Sequence, residues 1–503
     1  MIYRKLLKRP LTVLNSLSLI GVLVATSFCA IGRGDVVGTT GENGDGKRVV
    51  TFKMTITPAA QPVPAFKHRL TVREIDQIPG NAITHYLRSL GENGLDNPTK
   101  HIEKTYGFEV YNWSSTETAT KDVPLEKLRD ACGYFDAYVN HHLKRATLCR
   151  DCEWGLAEET LRGPDTLGFL LPSIQQTRSM ARVLEMRNRL AVMDGRYDDS
   201  VEHLRMIYQL GQNVSEMKFL VAKLVGIAQV RMANQGMTHL IAASGSPNMY
   251  WALAELPQPI INIRDSVRLQ ASLGLRFFPA LMDVETAQHS PAQWKKKLTQ
   301  LFDSMQDVYG LTGRRSKTGS VQASLLVTGA GLAGYTPAKK RLIKGGMDPA
   351  KIEKMAVAHV ILLDTARDYQ RYADLMEASY YLPYTKSKSH IDRWENTMRA
   401  EDSPTRLGAL LANILLPAVM QVRNAEIRAQ AGVNALQAIE AIRDHVAKTG
   451  KLPAKLDEME LPVRLNPHTG KPFGYEIKEG NAVLHVEELY LDSVYEIEIA
   501  SKK

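Results

Sequence analysis

SIQQTRSMARVLEMRNRLAVMDGRYDDSVEHLRMIYQL, residues 173–210, decides the fold. A helix runs from about Ser173 to Asp194 and stops at Gly195, a residue suited to the position just past a helix C-terminus. The turn Gly195-Arg196-Tyr197-Asp198 leads into a second helix, where Val201, Leu204, Ile207 and Leu210 mark one apolar face. Two helices joined by so short a turn pack antiparallel. The hairpin is like a single tetratricopeptide-type unit, but no repeat with a period near 34 residues follows it.

Outward from the hairpin the helical signal continues. Upstream, Leu125, Leu128, Cys132, Phe135, Val139 and Leu143 recur at spacings of 3 and 4 on a helix that starts near Pro124. Downstream, helices are predicted at about 217–243, 260–280, 291–308 and 350–378, with Ser403-Pro404 as an N-cap followed by proline at the first helical position. The last helix runs from about Pro417 to Lys448, with Val433, Leu436, Ile439, Ile442 and Val446 on one face, and ends at Gly450 and Pro453. No strand-helix-strand alternation appears, which excludes a parallel α/β sheet. Val49–Thr57 (VVTFKMTIT) alternates with period two as a strand, Phe473–Ile477 and Ala482–Val486 flank a turn as a hairpin, and VYEIEI at 494–499 reads as one more strand. The expected fold is mainly α, an irregular helical bundle or solenoid with tetratricopeptide-like hairpins, one N-terminal strand and a small C-terminal β element. The expected division is 1–31 signal peptide or anchor, 32–48 flexible linker, 49–450 mainly helical body and 451–503 C-terminal β element.

Arg4, Lys5, Lys8 and Arg9 precede Leu11–Ile31, a run of 21 residues without charge. This is an export signal, cleaved after Ala25-Thr26-Ser27 or Ala30-Ile31-Gly32, or else a retained membrane helix. Either way the positive cluster stays inside and the body lies outside the cytoplasm. Phe28 ahead of Cys29 argues against lipidation. The chain of 503 residues carries 63 basic and 54 acidic side chains, but Arg4, Lys5, Lys8, Arg9 and Arg33 fall in the first 34 residues, leaving 58 against 54 on the rest. So small an excess, with no platform of interleaved aromatic and basic residues, excludes a nucleic-acid partner. The basic runs Lys295–Lys297, Arg314-Arg315 with Lys317, and Lys339–Arg341 with Lys344 are expected on solvated helix faces.

Four residues carry the only metal-like spacing. Cys132, His141, Cys149 and Cys152 read C-x8-H-x7-C-x2-C, which suits a tetrahedral zinc. Against this, Cys132 lies on an apolar stripe as a core residue, and in an oxidising compartment Cys149 and Cys152 pair with each other, one of them pairs with Cys132, or they stay as free thiols. Glu153 after Cys152 excludes covalent haem attachment, and no strand precedes the CxxC as in thioredoxin-like proteins. Gly329–Gly334 spells G-x-G-x-x-G, but its helical surroundings are wrong for a dinucleotide fold, and the small residues are expected to serve packing or a loop. Glu158-Glu159 and Asp198-Asp199 are sequence neighbours that point apart on a helix and cannot share one reacting atom. No catalytic residue and no cofactor are therefore assigned.

Three segments together carry a family resemblance: PAAQPVPAFKHRL with PGNAITHYLRSL (58–90), CEWGL (152–156) with the helices that follow and MYWALAELPQP (249–259), and ALQAIEAIRDHVAKTGKLPAKLDEMELP with NPHTGKPFGYEI (435–477). The combination resembles a family of exported bacterial proteins of unknown function, which brings no activity, ligand or site residue with it. The C-terminal segment is also similar to the end of pseudopilins, with Asn466 where they carry Asp, although the chain is far longer and lacks their methylated N-terminal helix. The expected function is a helical binding or scaffold protein of the cell envelope with a protein partner, held to the membrane through its N-terminal segment if that is uncleaved. The alternatives are a hydrolase-like envelope enzyme whose site forms only in three dimensions, or a metal or redox protein using the CxxC.

Overall fold

In the computed structural model, residues 35–43, 46–89, 98–155, 171–311, 333–401, 403 and 405–500 are described. The segment 1–31, Cys29, Glu158-Glu159, Arg314-Arg315 with Lys317, and Gly329–Leu332 lie outside them. Among the described residues seven strands occur in order: β1 Val36–Glu42, β2 Arg48–Ile56, β3 Ile78–Asn81, β4 Cys149–Asp151, β5 Gly474–Lys478, β6 Asn481–Val486 and β7 Leu491–Ile499. The principal helices are α1 Ala82–Ser89, α2 Pro98–Tyr106, α3 Leu125–Tyr134, α4 Leu171–Met193, α5 Tyr197–Ser215, α6 Leu220–Ala242, α7 Arg264–Phe277, α8 Pro291–Leu311, α9 (333–344), α10 Val357–Ser379, α11 Tyr384–Ala400, α12 Leu407–Leu415 and α13 Pro417–Thr449. The protein is mainly helical, as its periodicity predicts.

Helix α6 (LVAKLVGIAQVRMANQGMTHLIA) is apolar almost all round, and a helix of that kind must be enclosed. It packs against α4, α5, α7 and α13 and against β1 and β2. The α5/α6 crossing is close because glycines face each other: a Cβ on Gly226 would stand 2.5 Å from the Gly211 carbonyl oxygen. A second helical group gathers around α10, which packs on α7, α8, α11 and α12.

The sheet is where expectation and structure part. The predicted N-terminal strand exists as β2, and the C-terminal hairpin as β5 and β6 around Glu479-Gly480, both at positive φ (53° and 84°), the signature of a type I′ turn. These are not separate elements. β2 runs parallel to β7, and one five-stranded sheet forms in the order β1-β2-β7-β6-β5. The N-terminal strands thus complete the C-terminal sheet. Residues 36–42, expected within a flexible linker over 32–48, form β1, antiparallel to β2, with Gly38 N–H donating to Thr116 O at 2.9 Å. Pairing with distant residues overrides a local composition that lacks apolar alternation. Helix α12 starts at Leu407, later than an N-cap at Ser403 implies; the Ser403 hydroxyl instead accepts from Thr405 N–H at 3.2 Å. Helix α13 ends as expected, on Gly450 in the left-handed region.

Fully buried Arg443 ties these parts together. Its guanidinium pairs with buried Glu440 at 2.9 Å and donates to Thr57 O, just after β2, and to Ser246 O after α6. Removing one member of such a pair strands the other charge in the core. Arg443→Ala is expected to lower unfolding free energy by about 3–5 kcal/mol, read from denaturant titration.

Candidate functional site

The residues with metal-like spacing are not brought together. Cys132 sits on the inner face of α3, its thiol pushed up to about 12 by burial, with Arg187, Asp136 and Arg196 as its charged surroundings. His141 is exposed on the helical turn Val139–Leu143. Cys149 opens β4 opposite Ile78, and Cys152 follows the strand. Three extended steps separate their Cα atoms by roughly 10 Å, beyond the 4.4–6.8 Å that a disulfide spans. Cys132, Cys149 and Cys152 are free thiols, and among the described residues no group of three or more His, Cys, Asp or Glu could hold a metal. The segment after β4 serves docking: Trp154 Nε1 donates to Asn213 O at 2.8 Å, Cys152 Sγ lies 3.7 Å from the same oxygen, and Asn81 accepts from Glu153 N–H.

Other predicted features have structural employment. Asp198 and Asp199 sit in the first turn of α5, near His68 and Arg196 respectively, where negative charge suits the helix dipole. Lys295 and Lys296 are exposed as expected, whereas Lys297 pairs with Asp283 at 2.6 Å and Lys339 with Glu353. Arg341 departs from a solvated face altogether: it forks onto buried Asp364 of α10 at 2.6 Å and reaches Thr405 O.

A constellation that no local motif announces lies where α6, α13 and the turn between β6 and β7 converge. Asn234 on α6 donates to Ala429 O on α13 at 3.2 Å and accepts from Tyr208 OH at 2.8 Å, fixing the two helices at one level. About one turn toward the α6 N-terminus stands Arg231, and Arg428 precedes Ala429; both act electrostatically on Glu488, and of the two Arg428 pairs with it. Arg428 Nε pairs with Glu488, which is 7% exposed. Lys47, from the β1–β2 turn, pairs with Asp492 at 2.6 Å and donates to the Glu488 carbonyl, while Glu488 N–H donates to Asp492 at 2.8 Å.

The NPHTGKPF motif supplies the adjoining wall. Asn466, 2% exposed, accepts from His468 N–H and donates to Glu487 O, both at 2.9 Å, so this one amide orients the motif and steadies the residue before Glu488. The His468 ring lies 5.1 Å from that of Tyr384, whose hydroxyl donates to Asn424 at 2.9 Å. Burial, helped by Lys388, Lys47 and Arg428, lowers His468 to about 4, so the imidazole is neutral. Burial pushes the Glu488 carboxyl up to about 7 against the pull of Arg428 and Arg231.

Arg231 is the exception in this network. It is exposed, with Arg428 and Glu488 as its charged neighbours. It makes no hydrogen bond or ion pair with any described residue. No local pattern signals the network, because Lys47, Arg428 and Glu488 come from separate elements. No family model, curated protein or solved structure matches the chain. The site is therefore read from its own geometry.

Two outcomes test this description. Alkylation without reductant should label Cys132, Cys149 and Cys152 in unfolded protein and react slowly with the native chain, since burial raises all three thiols; mass spectrometry finding a Cys149–Cys152 bridge would count against it. Folded Glu488 keeps its proton to about 7 while an unfolded glutamate loses it near 4.5, so this group makes stability fall as pH rises through that window. Glu488→Gln has no proton to lose. Whatever constant offset the lost pair with Arg428 introduces, the variant should gain at least about 1 kcal/mol on the wild type between pH 5 and pH 8, measured by denaturant unfolding.

Proposed function

We propose that the chain is an exported protein of the cell envelope whose helical body acts as a rigid scaffold for a protein partner. Export is supported by the basic cluster and uncharged run in residues 1–31. Among the described residues no helix is long and apolar enough to cross a membrane. The α4–α5 hairpin is like a single tetratricopeptide-type unit, a shape suited to presenting surface.

The observation that carries the proposal is the strap over residues 57–77, which presents apolar side chains on a firmly held backbone. Gln61 N–H donates to Asp444 at 2.8 Å, Trp251 Nε1 donates to Gln61 at 2.8 Å, Leu70 N–H donates to Glu255 at 2.8 Å, and Arg69 pairs with Glu255 at 2.7 Å. Between these anchors Val63 is 90% exposed and Phe66, stacked beneath Arg69, is 44% exposed. A loop held in one conformation loses little entropy when a partner covers it, which is how preorganised surfaces gain affinity.

Crosslinking in the native envelope followed by affinity capture should return one reproducible partner. Val63→Asp should reduce that capture at least tenfold without moving the unfolding midpoint, because so exposed a side chain contributes little to the fold. Recovery of the protein alone, or undiminished capture by the variant, would sink the proposal.

A further inference from the structure

We propose that the outward side of residues 339–357 is a docking surface for an anionic phospholipid bilayer. This surface is independent of the strap and of the protein partner proposed above, so either can fail while the other stands.

Residues 333–357 carry six cations, Lys339, Lys340, Arg341, Lys344, Lys351 and Lys354, against two acids, Asp348 and Glu353. The fold sorts them. Arg341 turns inward onto buried Asp364, on the side of α9 where Ala338 and Leu342 are buried, while Lys340 and Lys344, one turn apart, stand exposed on the other side. After the turn at Gly345-Gly346, Asp348 caps the short helix Pro349–Glu353 by accepting from Ala350 N–H at 2.9 Å. Ile352 is the buried residue of that helix, which leaves Lys351 and Lys354 exposed. Lys339 pairs with Glu353 and holds the two segments side by side. Both acids are thus occupied, and the ammonium groups of Lys340, Lys344, Lys351 and Lys354 form no ion pair or hydrogen bond with a described residue. The ring of His359 stacks on Trp294 at 3.9 Å and brings exposed Lys295 and Lys296 of α8 to the same end of α10.

Residues 35–503 are nearly balanced, 58 basic against 54 acidic, so this excess is a local arrangement and calls for a local partner of opposite sign. Two features select a bilayer over a soluble polyanion. Val357, three residues past Lys354, is 49% exposed, an apolar side chain set beside cations as on surfaces that enter the headgroup boundary. The four unpaired cations are all lysines, whose apolar stems can lie along that boundary and whose heads act as point charges, suiting a fluid array of headgroups better than one fixed oxyanion. Near an anionic surface each is worth roughly a fivefold gain in affinity.

The test mixes the full chain with vesicles of phosphatidylcholine alone, with vesicles that also contain phosphatidylglycerol, and with dextran sulfate at matched charge. Residues 1–31 can engage either membrane, so the readout is local: amine labelling at single lysines, read by mass spectrometry. Labelling of Lys340, Lys344, Lys351 and Lys354, and of Lys295 and Lys296 beside them, should slow by about threefold or more with the anionic vesicles only and recover in high salt, while exposed Lys127 and Lys478 stay unchanged. Changing the first four to Gln should abolish the protection of Lys295 and Lys296 without moving the unfolding midpoint, because exposed side chains contribute little to the fold. Equal labelling with the two vesicle types, stronger protection by dextran sulfate than by anionic vesicles, or protection that survives the four substitutions would each overturn the surface.

Discussion

The parallel ladder between β2 and β7 is the constraint on which the rest depends. Its register runs from Arg48 opposite Leu491 to Ile56 opposite Ile499, continued by Ala500 N–H donating to Ile56 O at 2.9 Å. Parallel neighbours cannot be joined by a tight turn, and here the connection is the entire helical body of about 430 residues. Closing a flexible loop of that length costs about 5 kcal/mol in chain entropy. The ladder therefore forms only where packed helices have already brought the two ends to one place. Helix α6 does this through its all-round apolar surface, which meets α4, α5 and α13 as well as β1 and β2. Arg443 adds direction, because a buried guanidinium is satisfied only when Thr57, Ser246 and Glu440 arrive together.

Local pattern was sufficient wherever structure depends on near neighbours. The α4–α5 hairpin, the long α13 with its glycine stop, and the β5–β6 hairpin all follow from periodicity and turn chemistry within a few residues. β1 was illegible for the opposite reason. VVGTTGE has no strand alternation of its own, and becomes a strand because β2 offers an edge and Thr116 offers a carbonyl. The same distinction explains the cysteines. Spacing along the chain suggested that Cys132, His141, Cys149 and Cys152 converge, but the α3 stripe turns Cys132 into the core while His141 faces solvent, and an extended backbone holds Cys149 and Cys152 apart.

The charge network at Glu488 lies beyond any such pattern. Lys47, Arg231, Arg428 and Glu488 come from four elements, and two of them meet only because the sheet joins the start of the described chain to its end. The NPHTGKPF segment shows how a recognisable motif can mark such a place without forming it. Asn466 holds the turn that carries His468 and bonds the carbonyl of Glu487.

These charges also set the terms on which the fold and a site coexist. Most enclosed arginines are spent on cohesion, each joining segments far apart in sequence, as Arg443 does with β2 and Arg189 with residues ahead of β1. A cation used in that way is unavailable to a ligand, because its donors are filled. Arg231 contributes no such bond: its charge is left to solvent, where an ion pair would add little, so it takes no part in that cohesion.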